Sequence, residues 1–425
     1  MNRWFPNVQF ACRLYTNFAL YFQTAAIMNN RQLFLQHVGQ TSAAPLCLNI
    51  VHAEGSRMRD VGGKEYIDLI AGISVCNVGH RHPAVIEAIK KQADDYLHIM
   101  VYGELVENPQ VAYAKLLTDH LPASLNAVFY TASGSEATEG AMKLAKRYTG
   151  RTQIVSFKNS YHGSTQGALS VMGSEYWQQA FRPLLPGIVQ LSYNSFEDID
   201  QITEQTACVI AETIQAEAGV NLPRNNWLKA LRAKCTETGT LLVLDEIQCG
   251  FGRNGTLWAF EQFDVVPDIL LLGKALGGGM PLGAFVSDKK IMDSFTHNPV
   301  LGHINTFGGH PVCCAAGLAA FEVLLRDISM ADVQRKEALF RSLLTHPRIR
   351  SIHSRGLMMA VELDDFDTNK KLIDRLIAST AGQPGVFTDW FLFAPQSLRI
   401  APPLNIPDED IRIACQAIHA ILDTL

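Results

Sequence analysis

From Asn126 onward, short apolar runs alternate with amphipathic stretches. The apolar runs are 126–131, 153–157, 188–193, 207–211, 240–244, 268–272 and 283–287. Several are near-continuous in Val, Ile and Leu, the pattern of strands covered on both faces. The intervening stretches 135–149 and 225–238 carry helical periodicity. This alternation predicts an α/β domain around a seven-stranded, mostly parallel sheet. The two ends of the chain read differently. Residues 81–98 form an amphipathic helix with Val85, Ile86, Ile89, Ala93 and Tyr96 on one face, opened by Pro83. Helix 333–345, strand 357–363 and helix 407–424 follow after about residue 325. The last helix starts with Pro407, Asp408 and Glu409 and repeats Ile411, Cys415, Ile418, Leu422 and Leu425 at helical spacing. A smaller α+β domain built from both chain ends is expected, with boundaries at 28–85, 86–325 and 326–425.

Composition narrows the class. The 425 residues are 48% hydrophobic, enough for a large core, and the net charge of −5 argues against a nucleic-acid surface. No apolar run is long enough to span a bilayer. The nine cysteines are odd in number and scattered, with no C-x-x-C pair, which favours reduced thiols over a disulfide framework or structural zinc. The first 53 residues contain no Asp or Glu but include Arg3, Arg13 and Arg31. Residues 1–27 are therefore read as an upstream extension before a start at Met28, as a disordered arm, or as a presequence. The first two place the protein in the cytoplasm and the last in the mitochondrion.

Four motifs carry candidate chemistry. In DILLLGKALGGGMPLG, Lys274 follows a buried strand among small residues. Ligands bind at such strand ends, and burial makes an amine neutral and nucleophilic. An ordinary surface lysine beside a turn is the alternative. In TLLVLDEIQCGFGRNG, Asp245 ends a strand and suits a protonated ring nitrogen or a cation, and Gln248 suits a phenolic oxygen. Glu246 beside Asp245 raises a metal site, but no further ligand lies at metal spacing. A helix-capping role is the plain alternative. In YTASGSEATEGAMKLAKRY, the turn Ser133-Gly134-Ser135 opens a helix, a ready phosphate site or a simple N-cap. Glu139 and Lys143 in that helix read as a solvated i,i+4 pair. In Ser160-Tyr161-His162-Gly163-Ser164, Tyr161 suits stacking on a flat ring or packing in a core. Taken together, a phosphate cradle, a ring, an acid and a lysine are the parts that pyridoxal phosphate needs.

The order and spacing of these motifs, with E-x-x-Q-x-E-x-G and T-F-G-G-H-P between them, resemble the class-III (ω-type) aminotransferases over roughly residues 45–424. The resemblance implies pyridoxal-phosphate fold type I. It implies that Lys274 forms the Schiff base and shuttles the proton, that Asp245 partners the pyridinium nitrogen, and that Gln248 partners the phenolic oxygen. Ser133, Gly134, Ser135, His162 and Glu212 join the cofactor-binding set, with Tyr161 stacking. Thr306 is similar to a residue that reaches the phosphate of the neighbouring subunit, which implies a homodimer with shared sites. Arg399 resembles a substrate-carboxylate clamp and Glu217 the acid that gates it. The implied activity transfers an amino group from an acetylornithine- or ornithine-like ω-amino acid to 2-oxoglutarate by a ping-pong route. Two departures stand out. Ser164 replaces an arginine that grips a second carboxylate, and Thr213 replaces a proline. Other amine donors such as 4-aminobutyrate or lysine, an aminomutase or other isomerase, and a non-catalytic cofactor-binding protein are the competing readings.

Overall fold

The structure, a computed structural model, describes residues 29–378 and 383–425. The expectations for residues 1–27 lie outside the described residues. Two compact units divide the chain. The first reaches His52 and takes in Met58–Glu65; its helix α1 (Asn30–His37) opens with a capping box between Asn29 and Gln32. The second comprises Ala53–Arg57 and Tyr66–Leu425 and holds every other element discussed below.

The seven expected strands are β1 (Ala127–Thr131), β2 (Gln153–Phe157), β3 (Ile188–Leu191), β4 (Thr206–Glu212), β5 (Leu241–Asp245), β6 (Ile269–Leu272) and β7 (Gly283–Ser287). They form one sheet in the order β1-β7-β6-β5-β4-β2-β3. β7 runs antiparallel to β1 and β6, and the other pairs are parallel. All seven residues of β4 and all five of β5 are buried, which explains their unbroken apolar runs. Each fully buried Val, Ile or Leu side chain contributes about 1.5–3 kcal/mol, so the sheet is a rigid base for the loops at its edge.

Helices α2 (Pro83–Asp95), α3 (Asn108–Asp119), α4 (Gly134–Thr149) and α5 (Trp227–Thr238) follow the pattern in part. α4 buries Ala137, Ala141, Met142, Leu144 and Ala145 against Ile154, Cys208, Ile210, Val243 and Phe285 of the sheet. α2 departs from expectation. It stops at Asp95, where Tyr96 is extended, and it buries Val85 and Gln92 while Ala93 is exposed. The Gln92 carboxamide donates to the Tyr96 carbonyl at 3.0 Å, so a polar residue caps the helix from inside. Glu139 and Lys143 do not pair. Glu139 accepts from Thr165 Oγ1 and from the N–H groups of Gly167 and Ala168. That is a carboxylate at the start of the short helix Gln166–Ser170, where the dipole favours it. Lys143 donates to Gly302 O.

Beyond α6 (Pro311–Asp327) and α7 (Met330–Leu343), an antiparallel sheet combines β8 (Ser351–Arg355), β9 (Met358–Glu362), β10 (Trp390–Phe391) and β11 (Ala394–Ile400) in the order β8-β9-β11-β10. Helix α8 (Phe366–Ala378) packs on β11 and on α9 (Asp408–Leu422), which buries Ile411, Cys415, Ile418 and Leu422 as its spacing predicts. No described helix is long and apolar enough to cross a membrane, and the eight described cysteines are all free.

A strained turn completes the frame. Ala71, Gly72, Ile73 and Ser74 all have positive φ, between 48° and 64°, and the turn packs against Lys274–Gly277. A β-branched residue such as Ile73 rarely adopts this conformation, which costs about 1–3 kcal/mol. Asp68 holds the turn. Its Oδ1 accepts from Ile70 and Ala71 N–H at 2.8 and 2.9 Å, and its Oδ2 meets His80 Nε2 at 2.6 Å. Burial alone would lower the His80 pKa, but the hydrogen bonds to Asp68 and Cys76 overcome it and raise the value to about 10. A raised histidine stabilises fully below its unfolded value and progressively less as pH rises through its folded one. Stability is therefore expected to fall between about pH 6.5 and 10. Chemical denaturation across that range should show a shallower fall for His80→Gln than for the parent. Parallel curves would show that the pair does not titrate as described.

Candidate active site

Parallel strands bring the loops at their carboxyl ends to one edge. Here the register sets Glu212 of β4 beside Asp245 of β5, and Asp245 beside Leu271 of β6. Lys274 follows β6 by two residues, and the turn Ser133-Gly134-Ser135 follows β1. A cavity of about 510 Å³ opens at this edge. Of the residues expected from sequence, Gly134, Ser135, Tyr161, His162, Glu212, Asp245, Gln248 and Lys274 line it.

Two carboxylates side by side in a buried edge repel each other, and the site answers with donors. His162 Nδ1 meets Asp245 Oδ2 at 2.7 Å. Asp245 Oδ1 accepts from Ile247 N–H at 2.9 Å. Glu212 accepts from Tyr161 N–H at 3.0 Å and from Ala216 N–H at 2.8 Å. Burial raises the Glu212 pKa to about 7, against the lowering effect of His162. Burial would lower the pKa of His162, but its hydrogen bond to Asp245 and the two nearby acids leave it raised. Glu246 does not join this group. Its oxygens accept from Thr213 Oγ1, Ala259 N–H and Phe260 N–H, so it ties those two loops together.

Lys274 adopts φ 48°, left-handed for a residue with a side chain. Its Nζ donates to Gln248 Oε1 at 2.6 Å. Burial lowers its pKa to about 8, although Glu217 and Asp245 pull the other way. Gln248 Nε2 is buried without a partner, as is His162 Nε2. An unpaired buried donor costs about 1–3 kcal/mol, and a ligand oxygen at the Gln248 amide would remove that cost.

The turn before α4 is a tight cradle. Ser133 caps the helix by accepting from Glu136 N–H, so its hydroxyl is already in use; Gly134 and Ser135 face the cavity. A Cβ on Gly134 would lie 2.9 Å from Ile247 Cδ1. Gly163 has φ 126° and sits where a Cβ would overlap Ser135 Oγ, so the 161–165 loop can approach the helix start only with glycine there. The cavity also draws on Ser164, noted above as a departure from the family pattern, and on Ile214, Ile247, Cys249 and Thr165, which the motifs did not single out. Tyr161 Oη and Ser164 Oγ lie 3.1 Å apart.

Four expected residues lie off the cavity wall: Ser133, whose hydroxyl caps α4, and Thr306, Glu217 and Arg399. Thr306 is exposed, with Tyr102 Oη 3.4 Å away. Glu217 and Arg399 are buried and paired through two bonds, Nη1 to Oε1 at 2.7 Å and Nη2 to Oε2 at 2.9 Å. Both act electrostatically on Lys274. Burial would raise the pKa of Glu217, but Arg399 holds it below its ordinary value.

Residues 38–422 match the aminotransferase class-III family. The chain is 38% identical over 394 residues to the acetylornithine aminotransferase of Methanopyrus kandleri, covering 92% of this chain and 96% of that protein. It is 34% identical over 407 residues to the mitochondrial acetylornithine aminotransferase of Alnus glutinosa, covering 91% and 86%. Its fold is similar to that of an ornithine aminotransferase from Toxoplasma gondii, with a TM-score of 0.86, 28% identity and coverage of 95% and 99%. It is also similar to an adenosylmethionine-8-amino-7-oxononanoate aminotransferase from Methanocaldococcus jannaschii, with a TM-score of 0.83, 28% identity and coverage of 93% and 98%.

The depressed amine is directly measurable. Acylation of Lys274 by a small anhydride in the ligand-free protein, followed by peptide mass spectrometry, should rise through a midpoint near pH 8. A midpoint near 10.5, the ordinary lysine value, would contradict the buried environment described.

Proposed function

The chain belongs to the class-III aminotransferases, pyridoxal-phosphate enzymes of fold type I, and from that premise we propose that it moves an amino group from an acetylornithine- or ornithine-like ω-amino acid to 2-oxoglutarate, with donor and acceptor using one pocket in turn. The residues at the strand edge fit the cofactor. The start of α4 at Gly134 and Ser135 would take the phosphate, since helix N-termini favour anions. Asp245 would hold a protonated ring nitrogen, Tyr161 and Ile247 would flank the ring, and the unpaired Gln248 amide would donate to the phenolic oxygen. Bound there, pyridoxal phosphate supplies an electron-withdrawing ring and a carbon that receives and releases amino groups.

Lys274 Nζ is the group that carries the proton. With its pKa lowered to about 8, it is neutral often enough near neutral pH to accept a proton and basic enough to return it. His162 holds Asp245 in place from behind. The buried packing under Gly134 and Gly163 keeps the ring site tight.

The observation that carries the two-substrate reading is the buried Glu217–Arg399 pair. Removing one partner of such a pair costs about 3–5 kcal/mol because the other charge is stranded. Exchange of one carboxylate for another avoids that cost. Arg399 therefore stays closed on Glu217 while a donor without an acid at that end is bound, and it transfers to the substrate when glutamate or 2-oxoglutarate enters. An isomerase retains its amino group and has no need of this exchange. At Ser164 the pocket offers hydroxyls where a guanidinium would grip a second carboxylate, so 4-aminobutyrate, lysine and related amines stand as alternative donors.

We also propose a homodimer in which Thr306 reaches the cavity of the other subunit. Exposed apolar residues support it: Val300, Leu301, Ile304 and Phe307 flank Thr306, and Leu97, Met100, Leu105 and Val106 form a second group. Exposed groups of this kind mark covered surfaces.

Mixing the cofactor-loaded enzyme with single amines, without acceptor, tests the assignment. Acetylornithine or ornithine and glutamate should each convert the cofactor's absorption from the aldehyde-derived to the amine form. Conversion by glutamate alone would overturn the donor, and conversion by none would overturn the transaminase cycle. Sedimentation should give a dimer; a monomer at working concentration would remove the shared-site proposal.

A further inference from the structure

Arg399 has more partners than the acid that gates it. Its Nε donates to Asp389 Oδ1 at 2.7 Å. Nη2 also donates to Trp390 O at 3.0 Å, and the guanidinium carbon lies 4.3 Å from the centre of the Phe391 ring. In the main chain, Arg399 N–H donates to Asp389 O at 2.9 Å. Asp389, Trp390 and Phe391 lead into the turn that joins β10 to β11, and β11 carries Arg399 itself. The same turn holds Glu217. Leu392 N–H donates to Glu217 Oε2 at 3.1 Å, and Phe393 N–H donates to Glu217 O at 3.0 Å.

These bonds divide the guanidinium into two edges. The Nη1–Nη2 pair that meets Glu217 is the edge that a substrate carboxylate must inherit. The Nε edge meets Asp389 and is untouched by that exchange. The Glu217 main chain is likewise anchored by Phe393, so its side chain can withdraw about a fixed backbone with the loss of one N–H bond. Without an acceptor on Nε, a guanidinium released by Glu217 keeps only the single Nη2 bond to Trp390 O, about which it turns, so it no longer presents two parallel N–H groups, the geometry that makes arginine a bidentate carboxylate ligand.

We propose that Asp389 is a positioning residue for the acceptor half of the reaction: it holds the Nε edge of Arg399 so that the opposite edge stays aligned for a substrate carboxylate after Glu217 leaves. The inference rests on the reading of Arg399 as the carboxylate clamp. It assigns the β10–β11 turn two duties, latching the closed pair and aiming the open arginine. It also predicts which substrates depend on Asp389: dicarboxylic amino and oxo acids do, and amines bound while the pair is closed do not.

The test uses the cofactor-loaded enzyme and three variants. In Asp389→Leu, the KM for 2-oxoglutarate should rise about tenfold or more, the loss expected for a charge-assisted bond. The kcat and the half-reaction with the amine donor should stay near the parent values. Asp389→Asn keeps an oxygen acceptor for Nε and should restore the acceptor KM to within about threefold of the parent. Calorimetric titration with glutarate, which binds without reacting, should follow the same order. An unchanged acceptor KM in Asp389→Leu would overturn the proposal. So would an equal loss in both half-reactions, the mark of a merely structural role, or an asparagine variant as impaired as the leucine one. Arg399→Gln separates the two levels: if it leaves the acceptor KM unchanged, the clamp reading itself fails and takes the Asp389 proposal with it.

Discussion

The site depends on the burial of two carboxylates side by side. Strand register alone places Glu212 against Asp245, and both are buried. Each needs donors, and those donors shape the surrounding loops. His162 must lie behind Asp245, and Tyr161 must turn its N–H to Glu212. Those demands bring the 161–165 loop so close to Ser135 that position 163 admits only glycine. The tight turn at the start of α4, the 161–165 wall of the cavity and the buried acid thus follow from one pairing in the sheet. Lys274 completes the balance as a cation opposite these acids, held in a left-handed conformation by a sheet rigid enough to sustain the strain.

A second charge system lies beside the first. Glu217 and Arg399 act on Lys274 through space, and Asp389 acts on Arg399 and Glu217. The effect is practical: Arg399 helps to depress the lysine, and Glu217, which pairs with it, restores part of the amine's basicity. Any change of partner at Arg399 would therefore act on Lys274 Nζ through space. The β10–β11 turn touches both members of the pair.

Much of this was legible in the sequence, for physical reasons that differ by element. The central strands were legible because burial on both faces leaves unbroken apolar runs, and helix α4 because one face meets the sheet and the other water. Helix α6 was not, because it is buried on most sides and shows no polar stripe. The face of α2 was misjudged at Gln92, a polar residue turned inward to cap its own helix. Glu139 and Lys143 were paired by spacing alone, while tertiary structure gives the acid a helix start to cap. At the site, Asp245, Gln248 and Lys274 were legible because they sit where strands end. Asp389 was invisible, because its meaning comes from Arg399, ten residues away and reached only when the turn folds back. Ile247 lacked a signal of its own, since an apolar residue after two acids reads as core.

The claim on which the account turns is that Lys274 is the residue that holds the cofactor. Borohydride reduction of the cofactor-loaded enzyme, followed by peptide mass spectrometry, tests it directly. The account predicts a single pyridoxyl adduct on Lys274 and none in Lys274→Ala. An adduct on another lysine, or on none in an enzyme that still turns over, would contradict it.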